Sequence, residues 1–411
     1  MKFIFSLIAS RLLQSSGRIF PSDPPVISRS NSLLSRLRSE SCLSPQSVAS
    51  TVSDGSHDLL PIGAVCSPSL SCNVALDIGG SLVKILFFEP FELENEFSKK
   101  CKQFSVQHSS ALSVRSRRLG GTFHFAITKT ADLSSIISLI KSSSFATFMR
   151  CLPATGGGAH KYSQLISQEL SLVPTHHDEM DCLVHGLNFF LKEVPRELFL
   201  CFPIDNRINT PSVNSFNIFP YLLVNVGSGV SILKIDGYNK FVRVSGSGLG
   251  GATFFALAKL LGCLECSYDD LLSMAAKGDH KKVDMLVGDI YGTDYGNIGL
   301  SADVTAAYFG KLLNHENIEK VTKDDLVKGI LLMITGNIAH LAYLIASQYN
   351  IKRIVFAGHF FRHDSITMAS VSRGVYFWSA GQMKSCFLKH EGYLGAMGSW
   401  LIENHKIIKN S

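Results

Sequence analysis

Two short apolar runs, Asn73 to Leu76 and Tyr221 to Val224, each break at a glycine turn and then resume. The first turn reads Asp77-Ile78-Gly79-Gly80-Ser81 and leads into Leu82–Phe88; the second reads Asn225-Val226-Gly227-Ser228-Gly229 and leads on to Ile235. Both read as strand-turn-strand hairpins. Thr122–Ile127 supplies another strand beyond a polar, basic loop, and Arg353–Ala357 a later one. Residues 178–194 place Met180, Leu183, Val184, Leu187 and Leu191 on one face at helical spacing. A Gly-rich turn and helix come next at 246–262. A long apolar helix is predicted over about 325–348, capped near Asp324 or Asp325, with Ile330, Leu331, Ile334, Ile338 and Leu341 inward. Two hairpin halves, each followed by helices, predict a cleft between two mixed α/β lobes.

The duplicated turns point to phosphate chemistry. Glycine lets the backbone take positive φ and lets its N–H groups approach an anion closely. Either turn alone is more often an ordinary hairpin loop. The flanking residues favour the chemical reading. Asp77 closes a buried strand, where a carboxylate is costly unless it meets a metal, a donor or a cation. Lys84 on the outgoing strand can reach phosphate oxygens as a point charge. In the second turn an asparagine replaces the acid, while Ser228 and Ser231 offer hydroxyls toward the cleft. The chain reads as a nucleotide-using phosphotransferase.

Composition narrows the alternatives. At 411 residues and 46% hydrophobic, the chain can bury a large core. The net charge of +6 is concentrated at the start: residues 1–50 hold six basic and two acidic side chains, a net +4, which leaves +2 for the rest. That distribution gives no support to nucleic-acid binding. The ten cysteines form no framework, and Cys263 and Cys266, in an apolar helical stretch, have no second pair, so they read as buried thiols rather than metal ligands. No long uninterrupted apolar run suggests a membrane span.

Residues 1–72 differ from the rest of the chain. The segment is serine-rich; its first fifty residues carry Lys2, Arg11, Arg18, Arg29, Arg36 and Arg38 against Asp23 and Glu40. Such composition is that of an organellar transit peptide, while Phe3 to Ala9 passes for a short secretory core and a disordered tail fits equally. The expected location is the cytoplasm, with a mitochondrial or other organellar address through this leader as the alternative. The remaining chain divides on this reading into a catalytic domain at 73–402, with a first lobe at about 73–220 and a second at about 221–402, and a short tail at 403–411.

The ordered series ALDIGGSLVK (75–84), ATGGGAHKY (154–162), DEMDCLVHGL (178–187), VNVGSGVS (224–231), VRVSGSGLGGATF (242–254), SMAAKGD (273–279), VFAGHFFR (355–362) and FWSAGQMKSCFLKHEGYLGAMGSW (377–400) resembles the eukaryotic, type II pantothenate kinase family. The resemblance implies an α/β, two-lobed actin/hexokinase-like (ribonuclease H-like) fold with an interlobe ATP cleft. It also implies ATP- and Mg²⁺-dependent phosphorylation of pantothenate, the first step of coenzyme A biosynthesis.

The same resemblance assigns roles. Glu179 becomes the catalytic base, Asp77 the metal-side carboxylate and Arg243 a clamp on pantothenate's polar groups. Gly79, Gly80, Ser81, Lys84, Gly227, Ser228, Gly229, Gly250, Gly251 and Gly358 become the nucleotide site, with Gly246 and Gly248 in the same Gly-rich loop. Gly156, Gly157 and Gly158, with Lys161, fall on the substrate side. Ser231, Tyr291, Tyr295, Ala306 and Trp378 become pocket residues for pantothenate or the pantetheine arm of acetyl-CoA, partly across a dimer boundary. Asp178 and Asp181 read as capping and surface residues. Gly248, Ala252, His359 and Phe377 depart from the family pattern. The implied partners are acetyl-CoA or another acyl-CoA as feedback inhibitor and a second subunit, identical or paralogous. Two other readings stand beside this one: a catalytically weak or inactive subunit of a heteromeric complex, and a sugar kinase of the same fold group.

Overall fold

A computed structural model describes residues 72–93, 96–143, 149–201, 208–209, 218–296 and 299–410. The leader before Cys72, and the targeting and disorder readings placed on it, lie outside the described residues. The described residues from Cys72 to Asp294 and from Ser301 onward belong to one compact unit. Tyr295–Leu300 falls outside it and carries its own antiparallel bridge, the Tyr295 N–H reaching the Leu300 carbonyl at 2.8 Å.

The first sheet contains β1 (Val74–Ile78), β2 (Leu82–Pro90), β3 (Gln107–His108), β4 (Val114–Ser116), β5 (Gly121–Lys129), β6 (Leu152–Thr155) and β7 (Pro174–His176), in the order β3-β5-β2-β1-β6-β7 with β4 on β5. The second contains β8 (Leu198–Cys201), β9 (Ile208–Asn209), β10 (Tyr221–Val226), β11 (Val230–Gly237) and β12 (Lys240–Ser247). After the separate pair β13 (Met285–Leu286) and β14 (Thr305–Ala307), it gains β15 (Arg353–Ala357) and β16 (Lys384–Leu388); its order is β12-β11-β10-β15-β16-β8-β9. Both sheets repeat one plan. A three-stranded antiparallel meander has its first strand extended sideways by parallel strands. This duplicated arrangement is the two-lobed actin/hexokinase-like fold.

The helices used below are α1 (Leu133–Ser142), α2 (Glu179–Glu193), α3 (Gly251–Leu260), α4 (Tyr268–Lys277), α5 (Lys323–Gln348), α6 (Ser365–Trp378) and α7 (Leu394–Asn410). Alternate residues of a strand face opposite sides, and the cores follow that rule. Val74, Leu76 and Ile78 pack with α1, whereas Ala75 joins Leu223 and Val355 of the second sheet in a core built around α2 and α7. Leu222, Val224 and Val226 pack on the far side with Ile330, Leu331, Ile334 and Ile338 of α5. Asp77 shares its face with Ala75 and so points toward the core that the two sheets hold in common.

The α2–α7 contact sets the approach of the sheets. A Cβ at Gly186 would strike the Leu394 carbonyl, and one at Gly398 the Cys182 carbonyl. The two helices therefore touch backbone to backbone at both points.

Several boundaries differ from expectation. β8 and β9 precede residue 220 yet belong to the second sheet, because Leu198–Leu200 pair antiparallel with Cys386–Leu388. The expected tail at 403–411 is largely the continuation of α7, which packs on α2 and β1. The cap of α5 is Thr322; its hydroxyl accepts the Asp325 N–H at 3.2 Å while Asp325 Oδ2 accepts the Thr322 N–H at 3.0 Å. In such a capping box the acid stands three residues inside the helix, which is why the acids at 324 and 325 misplace the start. Cys263 and Cys266 are unbridged and lie between α3 and α4 rather than within a helix, Gly262 turning the chain at φ +89°. By length and composition α5 would reach across a membrane; half of its most apolar window is buried within the protein.

Candidate functional site

The β1–β2 register sets Asp77 opposite Lys84, and Lys84 Nζ lies 3.1 Å from Asp77 Oδ2. Their side chains are 13% and 16% exposed, so the pair is partly desolvated without being lost to the cleft. Neighbouring glycines leave room for it. A Cβ on Gly395, at the start of α7, would stand 2.8 Å from Asp77 Oδ2, and one on Gly156, at φ +84°, 3.0 Å from Oδ1. Gly156 and Gly158 thus pack against the end of β1, and Lys161 Nζ sits 5.2 Å from the centre of the Tyr162 ring.

Glu179 is the first residue of α2. Its position is fixed by Asp178, whose Oδ1 accepts the N–H groups of Met180 at 2.9 Å and Asp181 at 3.1 Å. Glu179 keeps solvent access, yet the protein packed around it removes enough water to raise its pKa above the ordinary glutamate value. The Asp77 carboxylate raises it further; Lys84 and then Arg243 act in the opposite direction. Asp77, Lys84, Glu179 and Arg243 therefore share one electrostatic environment, three coming from the first half of the chain and one from the second sheet.

Arg243 owes its direction to a β-bulge. Ile232 pairs with Ser245 and Leu233 with Arg243, so Val244 is an extra residue on β12. Bulges re-aim the side chains beside them. The Arg243 guanidinium lies over Gly246, where a Cβ would come within 2.5 Å of Nη2. Ser231, on β11, stands opposite Asn225 of β10 on one side and Gly246 of β12 on the other.

The two glycine turns meet. Ser81 Oγ and Ser228 Oγ are 3.2 Å apart, and a Cβ on Gly80 would lie 3.6 Å from Ser228 Oγ. Gly79 donates to the Leu82 carbonyl and Gly227 to that of Gly229, both at 2.9 Å. The Gly-rich segment before α3 docks on the second turn: Gly251 donates to the Gly227 carbonyl at 2.9 Å and Ala252 to that of Ser228 at 3.1 Å. A Cβ on Gly250 would sit 2.7 Å from the Ser228 carbonyl oxygen. These first amides of α3 are thereby engaged with protein, so Gly250 and Gly251 shape the second turn from behind. Gly358, at φ +97°, closes against Val226, whose carbonyl any Cβ would strike. Beside it the His359 imidazole is pushed down to about 3 by burial first, then by Arg362 and Lys84, and is neutral.

The remaining expected pocket residues lie on other elements. Tyr291 ends the short helix Val287–Tyr291, and Ala306 belongs to β14, which pairs with β13. Trp378 ends α6 with its ring stacked on His340 of α5, centroids 4.4 Å apart. Tyr295 belongs to the small unit at Tyr295–Leu300.

Two residues of the C-terminal motif had no role assigned from sequence. His390 is clasped by Glu197 at 2.8 Å, stacks on Phe190, and its Nε2 reaches the Leu112 carbonyl at 2.8 Å. Glu391 is buried beside the Gly358 loop. The signal was the motif HEGYLGAMG (390–398) itself, but their partners stand about 30 to 280 residues away.

Among the described residues no group of three or more His, Cys, Asp or Glu is placed to hold a metal ion unaided. A cation at Asp77 would complete its shell from phosphate oxygens and water, as Mg²⁺ characteristically does.

Residues 73–402 match the family described as Fumble. The chain is 39% identical over 350 residues to pantothenate kinase 2 of Oryza sativa subsp. japonica, a match covering 80% of this chain and 38% of that protein. It is 38% identical over 340 residues to pantothenate kinase 1 of Arabidopsis thaliana, covering 82% and 87%. It is also 36% identical over 332 residues to the 4'-phosphopantetheine phosphatase of Mus musculus, covering 80% and 40%. The chain thus spans well under half the length of the rice and mouse relatives, and most of the Arabidopsis one.

Proposed function

This chain belongs to the Fumble family, and from that membership and the geometry of the cleft we propose that it is a pantothenate kinase, transferring the γ-phosphoryl group of ATP to the primary hydroxyl of pantothenate. The observation that carries the reading is the Asp77–Lys84 pair, 3.1 Å apart, beside two glycine turns whose serine hydroxyls meet at 3.2 Å, with Glu179 and Arg243 facing the same charges. Phosphoryl transfer rests on positioning and charge neutralisation, and these residues supply both.

The roles follow from placement. Glu179 accepts the proton of the pantothenate hydroxyl as its oxygen bonds to the γ-phosphorus and the bond to the departing ADP breaks. Its raised pKa suits a base that must hold that proton and release it. Arg243, aimed by the bulge, offers a planar fork of donors to the pantothenate polar groups, with Ser231 adjacent. Lys84 and the turns at Gly79–Ser81 and Gly227–Gly229 receive the phosphates, and Gly358 borders the nucleotide side. When bound at Asp77, Mg²⁺ would neutralise phosphate charge. Asp77 retains a carboxylate oxygen, Oδ1, beyond the one paired with Lys84, which fits that use.

The reading extends to Tyr291, Ala306 and Trp378 as pocket residues for pantothenate or for the pantetheine arm of acetyl-CoA, the latter acting as feedback inhibitor. It extends also to a dimer with an identical or paralogous subunit, and to the cytoplasm as location. The mouse relative's phosphatase name belongs to a chain of which this match spans 40%, and it does not displace the kinase reading.

Turnover of ATP by the purified protein with pantothenate and with glucose tests the proposal. Phosphorylation of pantothenate supports it; glucose turnover would make the chain a sugar kinase, and no turnover an inactive subunit.

A further inference from the structure

The segment after β15 holds an unusual backbone. Gly358 at φ +97° is followed by Arg362 and His363 at φ +46° and +54°, two consecutive non-glycine residues in the left-handed region. L side chains adopt that region at a cost and persist there when their surroundings hold them. Glu391, between β16 and α7, supplies the hold. Its Oε1 accepts the His363 N–H at 3.0 Å, the Arg362 amide also bonds to its carboxyl group, and its backbone carbonyl accepts the Gly358 N–H at 2.9 Å. Successive amides in such a turn form a concavity that takes an acceptor oxygen; here the occupant is the protein's own carboxyl group, 4% exposed, whose pKa burial raises well above that of an ordinary glutamate.

The rest of the loop is fastened by other means. Tyr268 donates its hydroxyl to the Phe360 carbonyl at 2.9 Å, Arg362 Nη1 lies 2.9 Å from Asp269 Oδ1, and the Phe360 N–H reaches the Val226 carbonyl at 3.3 Å. Glu391 thus holds both ends of the loop, Gly358 through its backbone carbonyl and the His363 amide through its side chain, while the His363 ring reaches the Leu388 carbonyl at 3.1 Å.

We propose that Glu391 is a positioning residue for the nucleotide: it sets the Gly358–His363 loop so that Gly358 stays against Val226, directly behind the second glycine turn. The inference rests on the kinase reading in taking Gly358 as a nucleotide-side residue.

The test compares Glu391→Gln with Glu391→Met. Both are close to glutamate in volume, and only the first retains an acceptor oxygen. ADP affinity by calorimetry, the separate KM values for ATP and pantothenate, and a thermal melt are measured on the full chain. Glu391→Gln should bind ADP within about twofold of wild type. Glu391→Met should lose about tenfold in ADP affinity and gain about tenfold in KM for ATP, the scale of one strained backbone residue, with KM for pantothenate unchanged. Adding His363→Gly to Glu391→Met should recover most of that loss even though it also removes the ring's bond to the Leu388 carbonyl, because glycine takes the left-handed region without a carboxyl group to hold it.

Unchanged ADP binding in Glu391→Met, an equal effect on pantothenate, or no recovery with His363→Gly would overturn the proposal. Should Glu391→Met alone not fold, the double variant must fold and bind ADP near the wild-type level, and its failure would overturn the proposal equally. Wild-type protein that binds ADP but does not phosphorylate pantothenate would sink the kinase reading and leave this comparison standing.

Discussion

Ser81 and Ser228 bring their hydroxyl oxygens to 3.2 Å across a sequence separation of 147 residues. Each lies at the tip of a glycine turn, and the two turns come from different sheets. The contact marks where the two halves of the duplicated fold converge. If the ATP phosphates occupy that convergence, Ser81→Ala and Ser228→Ala should each raise the KM for ATP about fivefold, the worth of one hydrogen bond. Steady-state kinetics at saturating pantothenate check this, and an unchanged KM in both variants would place the phosphates elsewhere.

Glu179→Gln should leave folding and ADP binding intact while lowering pantothenate phosphorylation about 10²-fold or more, the scale of a positioned general base. Turnover near the wild-type rate would remove Glu179 from the mechanism.

The acid limb of the pH profile should report the same carboxylate. Burial, followed by the Asp77 charge, raises the Glu179 pKa. A base must be deprotonated to work, so kcat/KM should fall with decreasing pH through a midpoint above that of an ordinary glutamate. Asp77→Asn removes the second of those causes and should move the limb to lower pH. The same variant should impair Mg²⁺-ATP use more than pantothenate binding. A limb that stays in place, or a change confined to the KM for pantothenate, would count against this pairing.

Arg243→Ala is expected to raise the KM for pantothenate and to weaken inhibition by acetyl-CoA, since both ligands carry the pantothenate moiety. In the wild-type protein, acetyl-CoA titrated at several ATP concentrations should show competition that high ATP relieves. Inhibition that ATP cannot relieve would put the effector outside the nucleotide cleft.

At the α2–α7 crossing, Gly398→Ala would drive a methyl group into the Cys182 carbonyl. Overpacking of this kind costs about 1–3 kcal/mol. A lowered melting temperature is the expected result, and Ala at the open position Gly157, where a Cβ meets nothing within 4 Å, is the control.

Local pattern exposed some of this arrangement and concealed the rest. The hairpins at Asp77 and Asn225 were legible because alternation and glycine turns are properties of adjacent residues. The helix at 178–194 was legible from its apolar spacing and became α2, Glu179–Glu193. The start of α5 slipped because the capping hydroxyl of Thr322 and the answering carboxylate of Asp325 both resemble caps when read singly. The aim of Arg243 depends on which residue of β12 is left unpaired by β11, and a sequence does not display register. Glu391 and His390 were visible as part of a motif, but their partners lie on other elements, so chemistry could not be assigned to them in advance.

The two sheets have exchanged chain. Strands β8 and β9, drawn from the first half, finish the second sheet, and α7, drawn from the end, covers β1 and α2. A cut between Asn209 and Ile218 would give one fragment missing the helix that shields its inner surface and another missing its outer edge. Each fragment carries what the other lacks. The doubled plan is therefore expected to unfold as a single cooperative body, and the two pieces to need one another to fold.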